Sequence, residues 1–184
     1  MYNQKLNLFQ LPLLLLIAGS LSAQQVRRVP PAPTDLNTVQ DEFTDASAIT
    51  KWKQFYQEEG FPDLARSVRI ENGTLVIEPG TSGWYADLQA PFLYKNITGN
   101  FDVQIRVKAT GKTTALPQTA WSLGGLMVRE PKNTTKETWQ PNQQNWLFLT
   151  TGIAEPIGQP VFEVKTTTNS GSNLKLRPAK EGWV

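Results

Sequence analysis

The sequence has no cysteine and no histidine among its 184 residues. Without cysteine there are no disulfides and no thiolate metal ligands. Without histidine there is no Ser-His-Asp or Cys-His catalysis, and no zinc or haem held by imidazole. Charge is also scarce: 18 basic and 16 acidic residues leave a net charge of +2. That is too little for general neutralisation of nucleic-acid phosphates, so nucleic acid is not expected as a partner. Phosphate-cradling loops are missing as well. Gly124-Gly125 and Gly171 belong to no G-x-x-x-x-G-K-(S/T) or G-x-G-x-x-G pattern, and they fit a bulge or a close approach of strands better. The chemistry left is that of carboxylates, hydroxyls, Lys and Arg, amides, aromatic faces, or an oxygen-ligated ion. No cofactor is expected beyond a structural calcium, for which Asp41, Asp45 and Asp102 are available. No loop has the dense Asp/Asn spacing of an EF-hand.

The apolar run at the start of the chain is short. Met1–Lys5 is polar with one positive charge, Leu11–Ala18 is apolar apart from Pro12, and Gly19–Ala23 is a run of small residues. This three-part pattern predicts a secretory signal peptide over residues 1–23, cleaved after Ala23. The run falls well short of the roughly 20 residues that span a bilayer, and no cysteine follows it to carry a lipid anchor. The expected location is secreted or periplasmic, with no membrane contact after cleavage. A cysteine-free exported chain long enough to fold without cross-links fits a bacterial protein better than an animal extracellular one. The Asn-X-Ser/Thr sites at Asn72, Asn96 and Asn133 are then incidental loop sequence.

Residues 24–40, with Pro30, Pro31 and Pro33, read as a linker. From Asp41 the pattern is β. Val68–Glu71 and Leu75–Glu78 flank Asn72-Gly73, the strongest short hairpin signal because both turn positions tolerate positive φ. Phe101–Lys108 alternates apolar and polar without a break, as a strand with one buried face should. Leu126–Arg129, Trp146–Thr151, Val161–Thr167 and Asn173–Leu176 complete the predicted strands, with turn-rich segments between them. Only Ala46–Glu59, with Trp52, Phe55 and Tyr56 at helical spacing, suggests a turn or two of helix. Short strands without a repeated βα unit predict an all-β, two-sheet antiparallel sandwich over residues 41–184. The segment Gly182-Trp183-Val184 reads as the opening of a further strand after the turn Pro178–Gly182. The sandwich is therefore expected to be incomplete at its C-terminus, with strands out of view.

Four blocks carry a resemblance: Gly83–Asp87, Ala90–Lys95, Gly99–Val103 and Trp121–Arg129. Together with Asp41-Glu42-Phe43, Trp52 and Gly73–Ile77, they resemble secreted bacterial members of the concanavalin A-like lectin/glucanase superfamily. The nearest likeness is to uncharacterised domains similar to the regulation-of-enolase family and to accessory domains of bacterial xylosidases. The resemblance implies a jelly-roll sandwich, in which the Gly99–Val103 phrase starts a strand and Gly125–Arg129 forms a central strand of the facing sheet. It does not fix a function, because the superfamily holds lectins, carbohydrate-binding modules, glucanases and interaction domains.

Six tryptophans are many for this length. Sugars offer apolar C–H faces that stack on indole, and their hydroxyls need amides and carboxylates nearby. The candidate carbohydrate-binding residues are Trp84, Tyr85, Asp87, Trp121, Arg129 and Trp139, with Gln89 and Gln118 at hand. Trp139 lies in the amide-rich stretch Glu137–Asn145 and is the best exposed candidate; Trp52 and Trp146 look like core. Packing of the sandwich core is the competing reading for every tryptophan. Carboxylates give less. The glucanases of the superfamily place theirs on one strand as an E-x-D-x-(x)-E run, and none is present. Glu71 and Glu78 read as solvated strand-end charges, and Glu163 with Lys165 as an exposed charge pair rather than an acid/base device. Three functions stay open. The first is a non-catalytic module binding a poly- or oligosaccharide. The second is a structural or protein-interaction domain of a larger exported protein. The third is a glycoside hydrolase with catalytic carboxylates beyond the visible chain.

Overall fold

In the computed structural model the described residues are 31–155, 158–180, 182 and 184. The expected signal peptide, most of the linker and Trp183 lie outside them. Ala32–Val184 forms one compact unit, so the domain takes in residues that read as linker. Thr34 N–H donates to the Thr98 carbonyl (2.9 Å), Thr98 N–H returns to Thr34 Oγ1 (2.9 Å), and Lys95 Nζ donates to the Val39 carbonyl (3.0 Å). A single 3-10 turn, Leu36–Thr38, is capped by Asp35.

The helical signal at Ala46–Glu59 resolves into two short pieces. Asp45 accepts from Ser47 N–H and starts the 3-10 helix Ala46–Lys51, a capping arrangement that satisfies an orphan donor. Strand β1 (Lys53–Gln54) then leads into α1 (Phe55–Glu59), which stops at Gly60 in the left-handed conformation, φ +69°. Helix α1 buries Phe55 and Glu59 and leaves Glu58 outside, where it pairs with Lys53.

All strand pairs are antiparallel. β2 (Ala65–Glu71) and β3 (Thr74–Pro79) form the expected hairpin, with Asn72 at φ +50° and Gly73 at φ +69° supplying the turn. β1 pairs with β4 (Leu93–Tyr94). The main sheet has four strands in sequence order: β5 (Ser122–Arg129), β6 (Trp146–Ile153), β7 (Pro160–Thr168) and β8 (Gly171–Pro178). Each of its expected strands is present and longer than its sequence signal. Gly125 fits the close approach read from the sequence, because a Cβ there would run into the Leu149 carbonyl of β6. The regular structure of the described residues is thus mostly antiparallel strand with little helix, an all-β arrangement.

Pairing register divides the sheet's side chains between two faces. One face carries Met127 and Arg129 from β5, Trp146, Phe148 and Thr150 from β6, and Val161, Glu163, Lys165 and Thr167 from β7. The core lies on this face: Phe55, Trp84 and Trp146 are buried, and Phe61, Ala90, Phe92, Met127 and Phe148 pack against them. The other face carries Leu126, Val128, Leu147, Leu149, Thr151, Ile153, Phe162 and Val164. Thr151 and Ile153 are buried at one end and Leu126 is half-buried, while the other five are exposed.

Phe101–Lys108 departs from expectation. The segment belongs to no strand, and Phe101, Val103 and Ile105 are exposed. Val107 exchanges both backbone hydrogen bonds with Val184 (2.8 and 3.0 Å), but no ladder extends along the segment to make it a strand.

Candidate functional site

The six candidate residues do not converge on one surface. Trp84 is 5% exposed. Its ring meets Phe55 edge-on at 5.4 Å, Phe92 at 5.8 Å and Trp146 at 6.1 Å, which leaves no face for a sugar. Trp146 is core as expected, whereas Trp52 is only half-buried.

Arg129 is also turned inward. Its guanidinium holds Glu59 of α1 by two bonds, Nη1 to Oε1 (2.5 Å) and Nη2 to Oε2 (3.1 Å), and reaches Gln144 Oε1 at 3.2 Å. The guanidinium carbon sits 4.7 Å from the centre of the Phe55 ring. A fork-on-fork pair stacked on an aromatic suits guanidinium and not ammonium. Both partners are buried, so Arg129 is a bolt between α1 and β5 with little left for a ligand.

Glu163 and Lys165 correct a sequence expectation, since the pair is interior and not exposed. Glu163 is 1% exposed. Its Oε2 accepts from Thr150 Oγ1 across the strand pair (3.1 Å), and its Oε1 lies 2.9 Å from Lys165 Nζ. That second contact is coulombic and lacks the angle of a directed hydrogen bond. Lys165 also donates to the Trp84 carbonyl (3.1 Å). Two residues on one face of β7 do become neighbours. The sequence could not say that the segment around Trp84 covers them.

Next to this pair is a tight turn, Tyr85–Leu88, closed by Leu88 N–H to the Tyr85 carbonyl (2.8 Å). Ala86 takes φ +51° there, an uncommon conformation for a residue with a Cβ. The turn is held from behind. Ala86 N–H donates to Ser172 Oγ (2.8 Å), while Asp87 accepts from Asn142 N–H and from Ser170 Oγ. Asp87 is therefore an anchor. Tyr85, 49% exposed, and Leu88 face solvent. Leu88 carried no sequence signal, being a single apolar residue in a turn-rich stretch.

Trp121 sits at the other end of the sheet. It precedes β5 and has φ +62° with 48% of its surface exposed. The eight residues of β5 span about 25 Å, so Trp121 and the Tyr85 turn are separate contact points. Trp139 is half-buried rather than fully exposed, its ring edge-on to Phe61 at 6.2 Å. Its indole N–H is buried without a partner among the described residues.

The candidate calcium ligands do not gather either, and no group of three acidic side chains among the described residues could hold a metal ion. Asp41 accepts from Phe43 N–H (2.9 Å) and Trp52 Nε1 (3.1 Å), and Asp45 caps its helix. Burial pushes the Asp41 carboxyl up. The Phe43 and Trp52 hydrogen bonds, with Lys95 and Lys51 nearby, more than reverse this and hold it below its ordinary value.

No protein-family model matches the chain, and no curated protein or solved structure matches it.

Proposed function

We propose that this chain is an exported, non-catalytic β-sandwich module that binds carbohydrate, with Trp121 as its main contact and Tyr85 as a second. The observation that carries the reading is Trp121. A bulky residue held in left-handed backbone is strained, and such strain concentrates where a side chain must be presented. Its half-exposed indole has the flat apolar face that a sugar ring stacks on. The sandwich architecture is part of the same proposal: sheet β5–β8 would be one layer, with its Phe162 face turned toward a second.

The absence of catalysis is supported by the buried carboxylates. Glycoside hydrolysis needs two carboxyl groups flanking the scissile bond. Among the described residues Glu59 and Glu163 are the interior ones, and both are closed off by a cation, Arg129 and Lys165 respectively. Affinity electrophoresis through gels containing soluble polysaccharides tests the reading. The intact protein should be retarded by at least one polymer, and Trp121→Ala should lose that retardation while keeping its circular dichroism. Unchanged retardation of the folded variant sinks the site.

A structural or protein-interaction domain is the second reading. It is favoured by the internal use of Trp84, Arg129 and Asp87, three of the six candidates. Failure of every polysaccharide to retard the intact protein would select it.

A further inference from the structure

Sheet β5–β8 ends in two edges of different character. Edge strand β8 is blunted. Lys175 and Arg177 are exposed on it, and it closes on Pro178, where a missing N–H costs the ladder nothing. Ala86 N–H also reaches Ser172 Oγ near its start. Charge, proline and a covering segment are the usual means of keeping an edge from pairing with another chain. Edge strand β5 has no charge and no proline over Ser122–Val128, and among the described residues it pairs with β6 alone.

The register shows which groups of β5 stand open. Glu130 N–H donates to the Asn145 carbonyl (3.1 Å), and these two residues follow next after the pair Arg129–Trp146. Hydrogen-bonded pairs alternate with non-bonded ones along an antiparallel ladder. Ser122, Gly124, Leu126 and Val128 therefore bond to β6. Leu123, Gly125, Met127 and Arg129 turn their N–H and C=O groups outward, where they meet no other strand among the described residues.

We infer that β5 is the pairing edge of a homodimer. A second copy of this chain adds its own β5 antiparallel across a two-fold axis, joining two four-stranded sheets into one of eight. The strand complements itself best with Leu126 opposite its own copy. The outward residues then oppose one another in four hydrogen-bonded pairs, about eight bonds in all. Two bulky side chains meet glycines: Met127 lies across from the partner's Gly125, and Val128 from the partner's Gly124. A Cβ at Gly124 would have nothing within 4 Å, so the space that Val128 needs is open. With no charge on Ser122–Val128, the copies bring no like charges face to face. The contact is isologous and closes at two copies, since β8 does not accept a strand. The dimer does not rest on carbohydrate binding, but one consequence does. The two copies of Trp121 stand at opposite ends of the joined strands, about 33 Å apart, a spacing that gives one polymer two contacts.

The test is a charge swap at the two-fold axis, read by sedimentation equilibrium on the full chain. Leu126 is half-buried on the outer face of the sheet, so Leu126→Lys and Leu126→Glu should each keep the parent's circular dichroism. Each places like charges directly opposite in the dimer. A pairing of single strands is a small interface, so the parent should sediment as a dimer at micromolar concentration. Each variant alone should dissociate at least a hundredfold more readily, and their equimolar mixture should regain the dimer. A parent that stays monomeric up to about 1 mM would overturn the inference, whatever else takes the edge. So would variants that dimerise like the parent, or folded variants whose mixture stays dissociated. Should either variant fail to fold, amide exchange in the parent decides. The Gly125 and Met127 amides should exchange at least tenfold faster once dilution has separated the copies, and exchange that ignores concentration would overturn the inference.

Discussion

The two faces of sheet β5–β8 differ most along β7, where the usual distribution of side chains is inverted. Along β7 the buried positions are Val161, Glu163, Lys165 and Thr167, while the exposed positions include Phe162 and Val164. One face has charge sealed inside; the other has oil facing water. On the first face, Glu163 and Lys165 are tolerable because each is partnered by the other and by Thr150 or the Trp84 carbonyl. A buried ion pair of this kind is weak evidence for stability, but breaking it is expensive. The second face has no such solution, because apolar surface can only be covered. The difference is that the inner face is packed under Phe55 and Trp84, whereas the outer one leaves Val128, Leu147, Leu149, Phe162 and Val164 exposed.

The largest expected effect comes from breaking the inner pair on one side only. Lys165→Met leaves Glu163 buried without its cation and should destabilise the protein by about 3–5 kcal/mol in urea melts. Adding Glu163→Leu should restore most of that loss. A single variant within about 1 kcal/mol of the parent would mean that the pair is solvated, and the contrast between the faces would collapse.

Trp84→Ala comes next, at about 3–5 kcal/mol for a large aromatic removed from a core. Because the ring has no free face, this variant should lose stability without any selective loss of sugar retardation. A stable variant that no longer binds polysaccharide would move the binding site into the inner face. Gly125→Ala should cost less, about 1–3 kcal/mol, as the new methyl pushes β5 off the Leu149 carbonyl. Near-neutral behaviour there would mean that β5 is a loose edge rather than an integral strand.

The smallest effect belongs to Asp41, at the margin of the domain. Its carboxyl is held below the ordinary value of 3.8, so its contribution is fully present above that value and is lost as pH falls through the lowered one. Asp41→Asn should cost under about 1 kcal/mol at pH 7, since the site is largely solvent-screened. The gap to the parent should close as pH falls through that lowered value. A gap that widens in acid would reverse the assigned sign.

Local signals read well in the sequence. Asn72-Gly73 named its hairpin because the turn chemistry lies in those two residues. The alternation or apolar runs of Leu126–Arg129, Trp146–Thr151 and Val161–Thr167 named three strands of the sheet. Facing was harder to read. Glu163 and Lys165 share a face by simple alternation, but which face is interior depends on a segment some eighty residues earlier, where Trp84 supplies the covering carbonyl. Arg129 looked available because Glu59, its partner, is seventy positions away. The site suffered for the same reason: an indole's stacking face is a property of its neighbours, so Trp84 and Trp121 cannot be told apart by residue type. Phe101–Lys108 has every strand signal and still joins no strand, because a ladder depends on a second segment that no window of its own sequence can supply.

The most direct measurement is the stability of the doubly substituted protein Phe162→Ser, Val164→Thr, melted in urea beside the parent. A covered outer face predicts a loss of at least about 2 kcal/mol, the scale of burying two large apolar side chains. A difference within about 0.5 kcal/mol, as for surface substitutions generally, would contradict the account and leave that face open to water.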